Sequence, residues 1–155
     1  MKSISKFYSS LLMLCFMLAC SAPSAFVYQR SGKVVCQKYE QDVIHLRAEA
    51  SAETTAKAIS FAERNAIENL LFKGIPASNQ EKPLVANETE AMRQNPEYFN
   101  NLINKEDYQR FVMKSEIIEN VAEQKAHFVK QLISIDLNAF RTDLEQNKIV
   151  RKFGL

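Results

Sequence analysis

Apolar and polar positions alternate along Val43 to Ser51, with Ile44, Leu46, Ala48 and Ala50 on one side and Val43, His45, Arg47 and Glu49 on the other. A two-residue repeat of this kind marks a strand with one buried face. The period then changes. Ala52, Ala56, Ile59, Ala66, Ile67 and Leu70 fall on one stripe of a helix, with Ala62 and Leu71 at its margins. Ser51 is the expected N-cap, Gly74 the C-terminal stop, and Pro76 bars any continuation. The pattern predicts a strand feeding a helix of roughly five or six turns, which lays a small-residue face on a sheet. Glu63 breaks that stripe between Ile59 and Ile67, so it must reach the rim or find a cation, with Arg47 and Lys130 as candidates.

The same reading places a strand at Lys33 to Tyr39, a turn at Glu40-Gln41-Asp42, and a polar surface loop from Ala77 to Ala86 around Pro83. Asn87 and Glu90 have capping-box spacing ahead of a short helix over 88–94. Asn95 and Pro96 open another helix, which reaches Ile103 with an apolar face of Tyr98, Phe99, Leu102 and Ile103. Tyr108 to Ile118 is expected as a strand with Phe111, Met113, Ser115 and Ile117 on one face, followed by a loose connection from Glu119 to Lys125. His127 to Leu137 is its partner, with Val129, Gln131, Ile133, Ile135 and Leu137 inward. Its outward face mixes Phe128 and Leu132 with Lys130, Ser134 and Asp136, which fits a second covering element or an interaction surface. Asn138 caps a last helix, Ala139 to Gln146, bearing Phe140 and Leu144 on one side. The expected fold class is α+β: a small antiparallel or mixed sheet covered by one long amphipathic helix, with short additional helices. Ile149, Val150, Phe153 and Leu155 are too apolar for a frayed tail and should dock on this domain or on another protein.

The amino terminus changes the picture. Lys2 and Lys6 precede an apolar run, Leu11 to Ala19, that is too short to span a bilayer. Met17-Leu18-Ala19-Cys20 then resembles a bacterial lipobox, departing from it at Met17 where leucine is usual. The expected organisation is a signal peptide over 1–19, a membrane-proximal tether over 20–32 and a single domain over 33–155. The resemblance implies that Cys20 carries acyl chains, which would hold the protein on a membrane. By resemblance to the lipoprotein sorting rule, Ser21 in place of Asp points to the outer membrane, and the lack of a following acidic stretch points to its periplasm-facing leaflet. Phe26, Val27 and Tyr28 are more apolar than a free tether needs, and Phe26 and Tyr28 are candidate partner-binding residues.

Of 20 basic residues, the signal removes Lys2 and Lys6, leaving 18 against 18 acidic ones. A neutral mature chain argues against nucleic-acid binding. Among three cysteines, Cys15 is discarded and Cys20 acylated, which leaves Cys36 as a small buried hydrophobe or an intermolecular disulfide partner. His45 and His127 lie in strands without a metal-ligand partner at suitable spacing, and the three glycines are isolated. No cofactor, metal site or catalytic group is expected.

The stretch HLRAEASAETTAKAISFAERNAIENLL resembles the N-terminal domain of the flagellar assembly protein FlgT and related small envelope lipoproteins. FKGIP after the helix, YQRFVMKSE in the next strand and LNAFRTDLEQNKIVRKFG at the end extend a second likeness over most of the mature chain. Together with the lipobox they resemble a small lipoprotein family of Bacteroidota, the type VI secretion accessory lipoproteins (TssQ). That resemblance implies a non-enzymatic structural or assembly component of an envelope-spanning machine, contacting other envelope proteins. The alternative is a periplasmic lipoprotein that binds a small apolar ligand or envelope component beneath the long helix.

Overall fold

The computed structural model describes residues 26–31, 33–123 and 125–151. Two hairpins make the sheet. Strand β1 (Val34–Glu40) turns at Gln41, which takes a left-handed φ of 50°, into β2 (Val43–Ala52). Strand β3 (Val112–Glu123) returns as β4 (Ala126–Asp136). β4 lies antiparallel beside β2 in unbroken register from Val43 opposite Asp136 to Ala52 opposite His127, so the order is β1-β2-β4-β3. The sheet is antiparallel throughout.

The alternation read from sequence is the one that buries. Ile44, Leu46 and Ala48 of β2 and Val129, Gln131, Ile133 and Ile135 of β4 face the core. Helix α1 (Thr55–Phe72) covers them. It starts later than expected. Ser51 and Ala52 stay extended, because each pairs across to β4, opposite Phe128 and His127. The cap therefore passes to Thr54, whose side chain accepts from the Lys57 amide at 3.2 Å. The buried stripe rotates with it: Ala58, Ala62 and Ala66 lie on the sheet with Ile67, Leu70 and Leu71, while Ala56 is exposed and Ile59 half-buried. Alanines four residues apart let helix and strand backbones approach closely, leaving the larger side chains to fill the ends of the contact. Gly74 follows at φ 78°, where a Cβ would stand 1.9 Å from the Glu81 carbonyl oxygen, so the chain turns there only with glycine.

Helix α2 (Glu88–Gln94) has the expected cap, with the Asn87 side chain accepting from the Glu90 amide at 3.1 Å. Helix α3 (Pro96–Phe99) widens into a π turn at Asn100–Asn104, and a 3-10 turn follows at Asp107–Phe111. Here the expected strand from Tyr108 is corrected. Tyr108 and Phe111, three apart, share one side of the 3-10 turn and are both buried, so strand geometry begins only at Val112. β3 then runs on through Glu123, and ladder pairs from Glu119–Lys130 to Glu123–Ala126 replace the expected loose connection. Helix α4 (Leu137–Gln146) is capped by Asp136, which accepts from the Ala139 amide at 2.8 Å, rather than by Asn138. Leu137, the last inward residue expected of the strand, is buried at its first turn.

Candidate interaction surface

Helix α1 packs on β2 and β4 and meets β3 only at its margin. β3 is also an edge strand: among the described residues no strand pairs with its free edge, and each residue from Met113 to Glu123 is exposed. Four large apolar side chains stand in solvent there: Met113 at 62% exposure, Ile117 at 47%, Ile118 at 54% and Val121 at 41%. The register slips at Met113 and again at Ile118, leaving Lys114 to Ile117 as the regular stretch between two bulges. Lys114 and Glu116 form an ion pair of 2.6 Å on the outer face. Further along, Lys130 of β4 bridges Glu119 at 2.6 Å and Glu49 at 3.9 Å. Edge strands usually blunt themselves with charge; this one alternates charge with exposed aliphatics. Of the apolar residues expected on the inner face of this segment, Phe111 is buried, and Met113 and Ile117 are left uncovered.

A polar layer sits where α1 meets the β3 side of the sheet. Gln131, 1% exposed, donates to the Ile59 carbonyl at 2.9 Å and accepts from the Ser115 hydroxyl at 2.6 Å. This explains how an amide tolerates the core face of β4. Glu63 lies nearby, 8% exposed, and among the described residues neither Arg47 nor Lys130 reaches it. Both those residues point to the outer face, where Arg47 opposes Leu132 and Lys130 opposes Glu49, while Glu63 approaches from the helix side. Burial raises the Glu63 pKa; the Ser115 hydroxyl opposes the rise and the Glu106 carboxylate adds to it. The folded chain thus retains a proton that the unfolded chain releases, so stability falls as pH climbs from the ordinary glutamate value through the raised one. Glu63→Gln is expected to flatten that slope and leave stability at neutral pH unchanged or up to about 1 kcal/mol higher. Urea melts across the acid-to-neutral range measure it, and a loss above ~2 kcal/mol shows a paired, ionised Glu63 instead.

The segment from Tyr28 to Ser31 lies on α1. Tyr28 meets Phe61 edge-on at 5.2 Å and carries the Arg64 guanidinium 4.1 Å above its ring. Arg30 donates to Glu68 at 2.7 Å and grips Glu88 with two bonds of 2.8 and 2.6 Å. The Ser31 amide donates to the Asn65 side chain at 2.9 Å, and the Asn69 amide group donates to the Ser31 carbonyl at 3.0 Å. These bonds account for two buried asparagines on the helix. Of the candidate partner-binding residues, Phe26 and Tyr28 are half-buried in this strap, and Ile149 and Val150 are half-buried against the main core. Cys20, Phe153 and Leu155 lie outside the described residues.

The remaining candidates have local partners. His45 shares a hydrogen bond with Ser134 at 2.8 Å, and His127 with Thr55 at 3.0 Å. Cys36 is half-buried on β1, and burial raises its thiol pKa. The layer beneath α1, where the alternative reading puts an apolar ligand, is filled by fully buried side chains including Ala62, Ala66 and Leu46. An open hollow of about 330 Å³ lies instead beside Arg64, Glu68, Met92 and Phe99. Among the described residues no three acidic, histidine or cysteine groups gather as a metal site, and no helix is long and apolar enough to cross a membrane.

The fold and this surface define a class: an α+β domain in which a long helix covers two central antiparallel strands and leaves the edge strand β3 uncovered. No protein-family model, curated protein or solved structure matches the chain.

Proposed function

We propose that the protein is an envelope-anchored assembly module. Acylated Cys20 holds it to the outer membrane, and its domain serves as a structural component of a trans-envelope machine of the type VI secretion kind. The observation that carries this reading is β3, whose Met113, Ile117, Ile118 and Val121 stand exposed on an unpaired edge. An open strand offers a partner both main-chain hydrogen bonds and apolar pockets at alternate positions. The apolar amino-terminal segment supports the anchor, and the strap of Tyr28 to Ser31 on α1 ties that anchor closely to the domain.

Two measurements test it. Mass spectrometry of the mature amino terminus is expected to find an acylated Cys20. Ile117→Asp is expected to leave the melt within about 0.5 kcal/mol, since the side chain is exposed, while removing the envelope proteins that cross-link to the native chain. An unmodified amino terminus refutes the anchor. A cross-linking pattern that Ile117→Asp leaves unchanged refutes β3 as the docking strand.

A further inference from the structure

We infer that β3 pairs with β3 of a second copy of this chain, in an antiparallel, two-fold arrangement centred on Ser115. The inference rests on the reading of β3 as the docking strand and names its occupant. The regular stretch is short: bulges at Met113 and Ile118 bracket Lys114 to Ile117. Opposed side chains in an antiparallel pair share a face of the sheet, so a two-fold axis must set one residue opposite its own copy. Only four centres fit between the bulges. A centre on Lys114 opposes two lysines, and one on Glu116 opposes two glutamates. A centre on Ile117 sets each Glu116 against the apolar Ile118 and leaves Lys114 without an acidic partner among Lys114 to Ile117. A centre on Ser115 sets Lys114 against Glu116 twice over, places the two small hydroxyls together, and brings Met113 onto Ile117 on either side.

That register turns the Lys114–Glu116 pair within each strand into a four-charge ladder across the seam, with the exposed apolar side chains beside it. The axis stands perpendicular to the sheet. Rotation about it keeps both tethers on the helix side, as two anchors in one membrane require. Confinement to a membrane raises the effective concentration of the copies, so a short seam suffices.

The test uses the full-length chain in bacterial envelopes, with Cys36→Ser to remove the other free thiol of the mature chain. Ser115→Cys is expected to give a disulfide-linked dimer. Glu119→Cys is not, since the inferred register places its two copies about 27 Å apart. Lys114→Glu acts at both ends of the two-fold and is expected to cut the dimer yield about tenfold or more, and adding Glu116→Lys is expected to restore it. Equal linking at residues 115 and 119, no linking at 115, or failure of the charge swap to restore it overturns the inference. A chain that stays unlinked at 115, yet loses its envelope partners on Ile117→Asp, refutes self-pairing alone. A linked chain recovered free of lipid refutes the anchored reading alone.

Discussion

Replacing Phe140 with alanine is expected to lower the unfolding free energy by about 3–5 kcal/mol, a large share of what a domain of this size possesses. Phe140 is fully buried on α4, and its ring stacks on Phe111 at 4.6 Å between centroids. Phe111 ends the 3-10 turn from which β3 departs, and Val112, the next residue, pairs with Ile135. The lost ring therefore removes apolar burial and also the surface that fixes where the edge strand begins. Leu102 and Tyr108 are packed in the same core and cannot collapse into the space without moving the π and 3-10 turns. Urea melts measure the loss, and faster amide exchange at Val112 to Lys114 is its expected local signature. A loss below ~1 kcal/mol shows that the core relaxes around the gap and that β3 is positioned by β4 alone.

Periodicity reports which face of an element is apolar, and here it did so well for β2 and β4. It does not report which strands a helix covers. Met113 and Ile117 carry the same alternation as Ile44 and Leu46, yet α1 crosses the two central strands and leaves the fourth uncovered. The exposed strand on which the proposed function rests therefore reads, in sequence, as ordinary core. Boundaries failed for a related reason. Ser51 and Thr54 are both good caps, and the choice is made by hydrogen bonds from Ser51 and Ala52 to a strand about eighty residues away, which local chemistry cannot see. Tyr108 and Phe111 suit a strand by composition, but three-residue spacing also suits a single 3-10 turn, and their burial settles it. Glu63 was legible as an anomaly, but its proposed cations were wrong. Arg47 and Lys130 alternate onto the face opposite the helix, and the same two-residue repeat that marks their strands already excludes them as partners. Tyr28 stands out as more apolar than a free tether needs, but no apolar pattern announces Arg30 and Ser31, because polar bonds to Asn65, Glu68 and Asn69 hold them.

That strap yields the other large effect, at Glu68. Its carboxylate side chain is 4% exposed and accepts from Arg30 and Arg64, each at 2.7 Å. Arg30 is in turn stacked 4.9 Å over Phe72, and Arg64 lies over Tyr28, so one buried anion organises two cations and two rings. Removing it strands both guanidinium groups in a partly dry setting. Glu68→Ala is expected to cost about 2–3 kcal/mol, below the figure for a fully buried pair because both arginines keep some water. Glu88 is the weaker handle: it is about a third exposed, and Arg30 holds its carboxyl below the ordinary range. Its contribution is complete above that range and disappears as pH falls through the lowered value, so acid releases the Glu88 side of the strap. The sharper readout is proteolysis. Trypsin cuts after arginine, and Arg30 is protected while its side chain is clamped; the Glu68 variant is expected to be cleaved there under native conditions. In the anchored reading the clamp also sets reach. From Cys20 to Tyr28 the chain spans at most about 27 Å, and a strap released as far as Lys33 extends this to about 43 Å. Native-state cleavage at Arg30 that is equally fast with and without Glu68 shows that the strap is open already, and that the domain stands off the membrane on a free tether.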